Sequence, residues 1–384
     1  MDIAFVEEAE HVGIVRSVHG NLPHLLNRVS SFKKAMASVL HVGIARNHRG
    51  NPAAALKVMQ SKGVSVLTSG IASLVLSTPE SGIIEKTIFD YLLSLQKLIK
   101  KTPRPVIYFL AGSLPGTALL HLRQLSLFGM ITRLPGSILN SMARSTLVCD
   151  KPSTRSWFHQ IREICLLYGL PSPLSLLDFP PTKCSFKSLS KRHVQSYWEE
   201  LLQLEASELP SLSYFHPEVM SLSSPHPMWT SAGSNPFEIS KAVIQARMLS
   251  GRYPSDYLSR HWTKNKLGNC LLPLCHGNNV PGTLEHILLH CPSLAQCRQT
   301  ILSLANSVSA EDRITKMIFH GILEDPNQNT MMQFLLDCSA LMCVQDAIHL
   351  YGSQVLVNLF YISRSWCYGI HRARCSMLGL WCFR

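Results

Sequence analysis

Cys270 and Cys275 flank the tetrapeptide Leu-Leu-Pro-Leu; ten residues then separate Cys275 from His286, and four separate His286 from Cys291. Thiolates and imidazole are the ligands zinc prefers, four at a time and at tetrahedral angles. Two cysteines a few residues apart on a turn can aim at one centre, and Pro273 helps to turn that loop. A His and a Cys at the start of a helix can close the set from the other side. Gly277-Asn278-Asn279 and Pro281-Gly282 supply a pliant connector between the pairs. Three cysteines and one histidine leave no open coordination position, so such a site is expected to be structural and not catalytic.

Alternatives stand beside that expectation. The same residues could be core cysteines with a satisfied core histidine. His276 and His290 compete as ligands, and His290 lies one helical turn from His286; His286 is preferred for its four-residue separation from the closing cysteine. Glu285-His286-Ile-Leu-Leu-His290 is no metalloprotease signature, because the glutamate precedes both histidines instead of following the first. A second group, Cys367, His371 and Cys375, is spaced by four on one helical face, where adjacent core positions are the expectation. Trp366, Trp381, Arg372 and Arg374 could form a basic, base-stacking patch, but a packed C-terminal helix is preferred.

The elements that must position these residues read as mainly α. Leu22, Leu25, Leu26, Val29, Phe32, Met36, Val39 and Leu40 recur at helical spacing. Asn51-Pro52 has the form of a helix start, and Thr78-Pro79-Glu80 repeats it. The second of these helices is expected to run to Lys100 and Lys101 before Pro103. Shorter helices are expected at 115–127 and 135–147, and a strand or hairpin at Ala9 to Val18. Pro171 to Pro181 and Leu209 to Pro236 look like linkers, with an amphipathic helix from Ser190 to Ala206 between them. Asn235-Pro236-Phe237-Glu238 resembles a capping box opening a helix to about Ser250. The expected divisions are a basic helical region at 1–150, a linker at 151–235, a helix plus metal knuckle at 236–295, and a helical segment at 296–384.

With 46% hydrophobic and only 16% charged residues, bulk disorder is excluded. The apolar runs Val64 to Leu76 and Val106 to Leu122 are broken by Ser, Thr, Gly or Pro and read as core rather than membrane spans. The first residues carry acids where a secretory leader would carry bases, so an intracellular, reducing setting (nucleus or cytoplasm) is expected, in which clustered cysteines bind metal. The net charge of +12 is uneven: residues 11–149 hold sixteen Lys/Arg against three acids. That excess suggests a nucleic-acid partner before a membrane surface. Lys33, Lys34, Lys100, Lys101, Arg247, Arg252, Lys264 and Lys266 are the candidate phosphate contacts. The sequence has no adjacent aspartate pair, no Walker A loop and no G-x-S-x-G elbow, so no catalytic residues and no small-molecule substrate are expected.

The run Cys270-x4-Cys275-x10-His286-x3-His290-Cys291-Pro292 resembles the C-terminal zinc-binding segment of non-LTR retrotransposon reverse transcriptases. Ser211 to Phe215, Pro225 to Trp229 and Gln245 to Tyr253 are similar to the segments that precede that site, and Arg364 to Cys367 with Ile370 to Arg372 to the carboxyl ends. Glu10 to Ser17 looks like the strand segment that follows the palm. The resemblance implies a thumb-like helical bundle, linker helices, a small CCHC zinc knuckle and a C-terminal helical segment, downstream of a polymerase palm. It further implies binding to element RNA or target DNA, without the aromatic-x-Asp-Asp turn of polymerases. The competing expectation is a zinc-stabilised interaction scaffold; a hydrolase using the His/Cys cluster ranks last.

Overall fold

The computed structural model describes residues 7–11, 14–18, 20–39, 50–149, 156–259, 267–310 and 312–380. Lys264, Lys266 and Trp381, singled out above, lie outside the described residues. The protein is mainly helical. It divides into two compact units: Met1–Ile44 with Ala54–Leu92 and Ser113–Leu202, and Ala45–Ala53 with Leu93–Gly112 and Gln203–Arg384.

The first unit opens with an antiparallel hairpin, β1 (Glu8–His11) and β2 (Ile14–Ser17), paired Glu8 to Ser17 and His11 to Ile14. Helix α1 (Leu22–Val39) follows, its apolar stripe buried at Leu25, Val29, Phe32 and Met36. Helices α2 (Pro52–Val58) and α3 (Val64–Thr68) are joined by a π turn. There Gly63 lies so close to α1 that an added Cβ would sit 2.9 Å from Met36 Sδ. Asn51 Oδ1 accepts from Ala53 N–H at 2.7 Å, so the cap expected from Asn51-Pro52 is formed.

Helix α4 (Thr78–Leu95) starts one residue after Ser77, whose N–H and hydroxyl both donate to Glu80 Oε2, at 2.7 and 2.8 Å. The helix does not reach Lys100. Lys97 turns left-handed at φ 52°, and Leu98 N–H bonds back to the Leu93 carbonyl, which closes the helix at Leu95. Helix α5 (Arg104–Ala111), which belongs to the second unit, follows; Val106 to Ala111 are completely buried. A short helix apolar on all sides is a core element, as expected for this run.

Helices α6 (Gly116–Thr132), α7 (Ile138–Val148), α8 (Trp157–Leu167), α9 (Pro173–Asp178) and α10 (Lys183–Ser207) complete the first unit. The proline-rich stretch 171–181, read above as a linker, folds as α9. Pro173 occupies a first-turn position and Ser172 Oγ accepts from Ser175 N–H. Prolines at a helix start cost nothing, because the missing N–H would have had no partner there. Helix α10 begins seven residues earlier than Ser190, at Lys183.

In the second unit, 209–236 is not a loose linker either. It contains the short helix α11 (Pro227–Thr230) and buries Leu212, Phe215, Leu222, Met228 and Trp229. Helix α12 (Pro236–Leu249) is capped by Asn235 Oδ1, which accepts from Phe237 N–H at 2.9 Å. Glu238 does not reach back to close a box; its carboxylate instead bridges Lys241 at 2.7 Å and Arg364 at 2.6 Å. Beyond α13 (Asp256–Ser259) come α14 (Ala295–Ala310), α15 (Arg313–Glu324), α16 (Gln328–Asp337), α17 (Met342–Tyr351) and α18 (Gln354–Met377). Helix α18 is the centre of this unit, with Leu359, Phe360, Cys367 and Ile370 fully buried. Gln245 of α12 donates to the Leu335 carbonyl at 2.7 Å and to Ser363 Oγ at 3.0 Å, tying α12, α16 and α18 together.

Gln328–Tyr351 has the length and apolar composition to cross a membrane. In the fold it is interrupted between Asp337 and Met342, and Asp337, wholly buried, pairs with His226. Lipid would not supply that partner.

Candidate metal centre

A short hairpin-like ribbon carries the first ligand. Cys270 N–H donates to the Val280 carbonyl at 2.8 Å and Gly282 N–H to the Gly268 carbonyl at 2.9 Å. Between these arms the chain coils tightly: Cys275 and His276 both donate to the Leu272 carbonyl at 2.9 Å. Gly277 (φ +91°) and Asn279 (φ 51°) supply the left-handed turns that an Asn/Gly cluster allows. The third and fourth ligands sit at the two ends of a π turn, His286–His290, which is bounded by Cys291. Thr283 Oγ1 accepts from His286 N–H at 3.1 Å, and Cys291 N–H donates to the His286 carbonyl at 2.7 Å. The wider π turn separates ligands five residues apart by about one coil, so both face the same point.

The four side chains converge. Cys275 Sγ lies 3.6 Å from Cys291 Sγ and 3.5 Å from His286 Nε2, and Cys270 Sγ lies 4.0 Å from Cys291 Sγ. All four donor atoms fall within 4.8 Å of one another, and the three cysteines are each no more than 2% exposed. Such a group could hold a metal ion. Among the described residues it is the one group of His, Cys, Asp or Glu so arranged.

The protons within the set are unevenly held. The bond to Cys291, followed by burial, raises Cys270, and burial, followed by the bond to Cys291, raises Cys275. Cys291 is lowered, chiefly because it accepts from Cys270. Three buried sulfurs this close repel one another as thiolates unless a cation lies between them. The donor chemistry therefore fits a soft or borderline cation.

The competing ligands are resolved by position. His290 is exposed, with Nε2 3.2 Å from Gln328 Oε1 and 3.7 Å from Glu285. His276 is exposed as well. The second group comes together only in part: Cys375 Sγ lies 3.7 Å from His371 Nδ1, but that nitrogen also meets the Tyr253 hydroxyl at 2.9 Å, and Cys367 donates to the Leu335 carbonyl at 3.3 Å. Trp366 is buried and donates to the Leu288 carbonyl at 3.3 Å, so it packs and offers no stacking face.

The scaffold behind the ligands is itself tied down. Asp256 accepts from Leu271 N–H at 3.3 Å and from Arg374 at 2.8 Å. Arg298 donates to the Cys291 carbonyl at 2.8 Å, and Leu274 N–H to Ser293 Oγ at 2.9 Å. Sequence reading passed over Asp256 and Arg298, for no spacing rule links them to the cysteines.

The described basic candidates fall in both units. Lys33 and Lys34 are exposed on α1 in the first unit, whereas Lys100 and Lys101 are exposed on a turn of the second. Arg247 is largely buried, its Nε donating to the Lys97 carbonyl at 2.9 Å; burial lowers its pKa. Arg252 is half-buried, with its Nε buried and unpaired. Missed by the sequence reading was a row on α10, Lys183, Lys187 and Lys191, exposed at one-turn intervals. The spacing of four was the signal that could have found it.

A buried His226–Asp337 pair, 3.3 Å apart, was also missed. It is not a catalytic dyad in this arrangement. His226 Nδ1 already accepts from Met228 N–H at 3.2 Å and Nε2 lies 3.3 Å from Asp337 Oδ2, so both ring nitrogens are engaged within the core.

No known protein family, curated protein or solved structure matches the chain.

Proposed function

We propose that the chain is a zinc-stabilised helical protein that binds nucleic acid, related to the C-terminal part of non-LTR retrotransposon reverse transcriptases. The observation that carries the reading is the convergence of Cys270, Cys275, His286 and Cys291. Zinc with Zn–S of about 2.3 Å and Zn–N of about 2.0 Å at tetrahedral angles separates two sulfurs by about 3.8 Å and a sulfur from a nitrogen by about 3.5 Å. Two of the three sulfur pairs here are 3.6 and 4.0 Å apart and one sulfur–nitrogen pair 3.5 Å, with all four donor atoms within 4.8 Å of one another, which supports zinc. With four protein ligands the ion orders the knuckle and activates no water. A reducing interior, nucleus or cytoplasm, suits three unbridged cysteines.

Nucleic-acid affinity is supported by the cationic excess of the first 149 residues and by the resemblance of the knuckle. Metal analysis of the purified chain tests the first half of the reading: one zinc per chain, lost in Cys270→Ser and in Cys291→Ser. Filter binding to single strands and duplexes at two salt concentrations tests the second. Affinity should fall steeply with salt, and absence of binding at low salt refutes it.

One set of observations favours a second reading, an interaction scaffold. Arg247 is already engaged by the Lys97 carbonyl, and the candidate lysines belong to separate units. Retained zinc without nucleic-acid binding would select it.

A further inference from the structure

The first unit contains a groove of 830 Å³ between α3, α6 and α10 whose rim and floor have opposite character. Lys183, Lys187, Lys191, Arg123 and Arg133 stand around it, and no lining residue is acidic. The three lysines repeat every four residues on one helix, hence about 6 Å apart. Within the groove two polar groups lack a partner: Arg133 Nη1, and Ser190 Oγ on a residue only 3% exposed. The floor is aliphatic. Leu119, Leu122 and Leu127 are part-exposed, and Met130 is 46% exposed.

We infer that this groove docks one acidic amphipathic α-helix of a partner protein. Its charge calls for an anionic occupant, and its floor calls for one with an apolar face. A single strand held by base stacking would meet the lysines but find no ring to stack on. The aromatic residue of the lining, Phe186, is 3% exposed and pressed against Gly129, so it presents no face. A helix with carboxylates at i, i+4 and i+8 matches the lysine row turn for turn, and an adjoining Leu stripe covers the floor. This inference stands independently of the nucleic-acid reading.

The probe is a synthetic helix of roughly four turns with Glu at i, i+4 and i+8 and Leu along the adjoining stripe, titrated against the full chain by fluorescence anisotropy. A peptide of identical composition in scrambled order and a single-stranded oligonucleotide of equal charge are run in parallel. Binding of the amphipathic peptide with a dissociation constant of about 10 µM is expected. The scrambled peptide should bind at least tenfold more weakly. Lys183→Gln/Lys187→Gln/Lys191→Gln and, separately, Met130→Asp should each weaken the peptide about tenfold, the sum expected of a few exposed ion pairs or of one lost apolar contact. All four positions are exposed, so unchanged thermal midpoints should confirm intact folding. No peptide binding at about 100 µM, equal binding of the scrambled peptide, or indifference to either variant overturns the inference. Loss of oligonucleotide binding in the lysine variant while the peptide still binds also overturns it, and assigns the groove to nucleic acid.

Discussion

Arg374 Nη2 donates to Asp256 Oδ1 at 2.8 Å across 118 residues of sequence, and each side chain is 4% exposed. The second oxygen of Asp256 takes the N–H of Leu271, the neighbour of Cys270. One carboxylate thus connects the central helix α18 to the loop that carries Cys270, the first candidate metal ligand. Support of this kind orients ligands as much as the ligands themselves do.

Asp256→Ala should therefore be severe. It leaves the Arg374 guanidinium buried without its counter-charge, at a cost of about 3–5 kcal/mol. Urea unfolding of the metal-loaded chain measures the loss. Replacing both partners, Asp256→Leu with Arg374→Met, should recover much of the stability, since no charge is then stranded. Zinc retention against a chelator should stay about tenfold weaker in both, because Leu271 N–H loses its acceptor.

Gly282 lies against the same carboxylate. A Cβ there would stand 2.6 Å from Asp256 Cβ, and the Gly282 backbone is tied on both sides, its N–H donating to the Gly268 carbonyl and its carbonyl accepting from Tyr257 N–H. Gly282→Ala should destabilise the second unit by about 1–3 kcal/mol. Gly277→Ala meets nothing within 4 Å but keeps a φ of +91°, so its cost should be nearer 1 kcal/mol. Equal effects of the two changes would show that steric approach does not matter at Gly282.

The choice between adjacent histidines is testable by metal content. His286→Gln should lose zinc, while His290→Gln should hold one ion per chain, for His290 points to Gln328. Loss of metal in the second variant alone would reverse the ligand assignment.

Acid should weaken the fold through buried neutral histidines. Burial pushes His121 down to about 4, and burial, then Arg374 and Arg247, does the same to His371. The folded value is depressed, so the unfolded chain takes up its proton first, near pH 6.5. Stability is full above that value and declines as pH falls towards about 4, by up to about 3 kcal/mol for each group. His121, in the first unit, reads this effect away from the metal. His121→Gln should flatten the loss of stability between pH 6.5 and 4.5 in urea titrations; an unchanged slope would exclude His121 as its source.

Much of the local structure was legible. Asn51-Pro52 and Asn235-Pro236 cap their helices as their chemistry requires, because a side-chain acceptor two residues from an N–H is a purely local matter. The spacing of Cys270, Cys275, His286 and Cys291 marked a possible metal site for a related reason. A turn and a coil of fixed pitch determine which residues face one way.

Other outcomes lay beyond any local rule. Glu238 could have closed a capping box, but a buried Arg364 lies in reach, and a charged partner in a dry environment outcompetes a backbone N–H. The proline-rich stretches read as linkers, yet they bury Leu176, Leu177, Phe215 and Trp229, since proline limits backbone freedom without preventing side chains from packing. Arg247 looked like a phosphate contact and instead holds the Lys97 carbonyl 150 residues away. The types and intervals of the residues pointed to most of the helices, to some of their starts and to a Cys/His set able to hold a metal ion. Which histidine faces the sulfurs, which arginines remain free and which carboxylate supports the knuckle were decided by tertiary packing, because burial brings together groups whose separation along the chain carries no periodic signal.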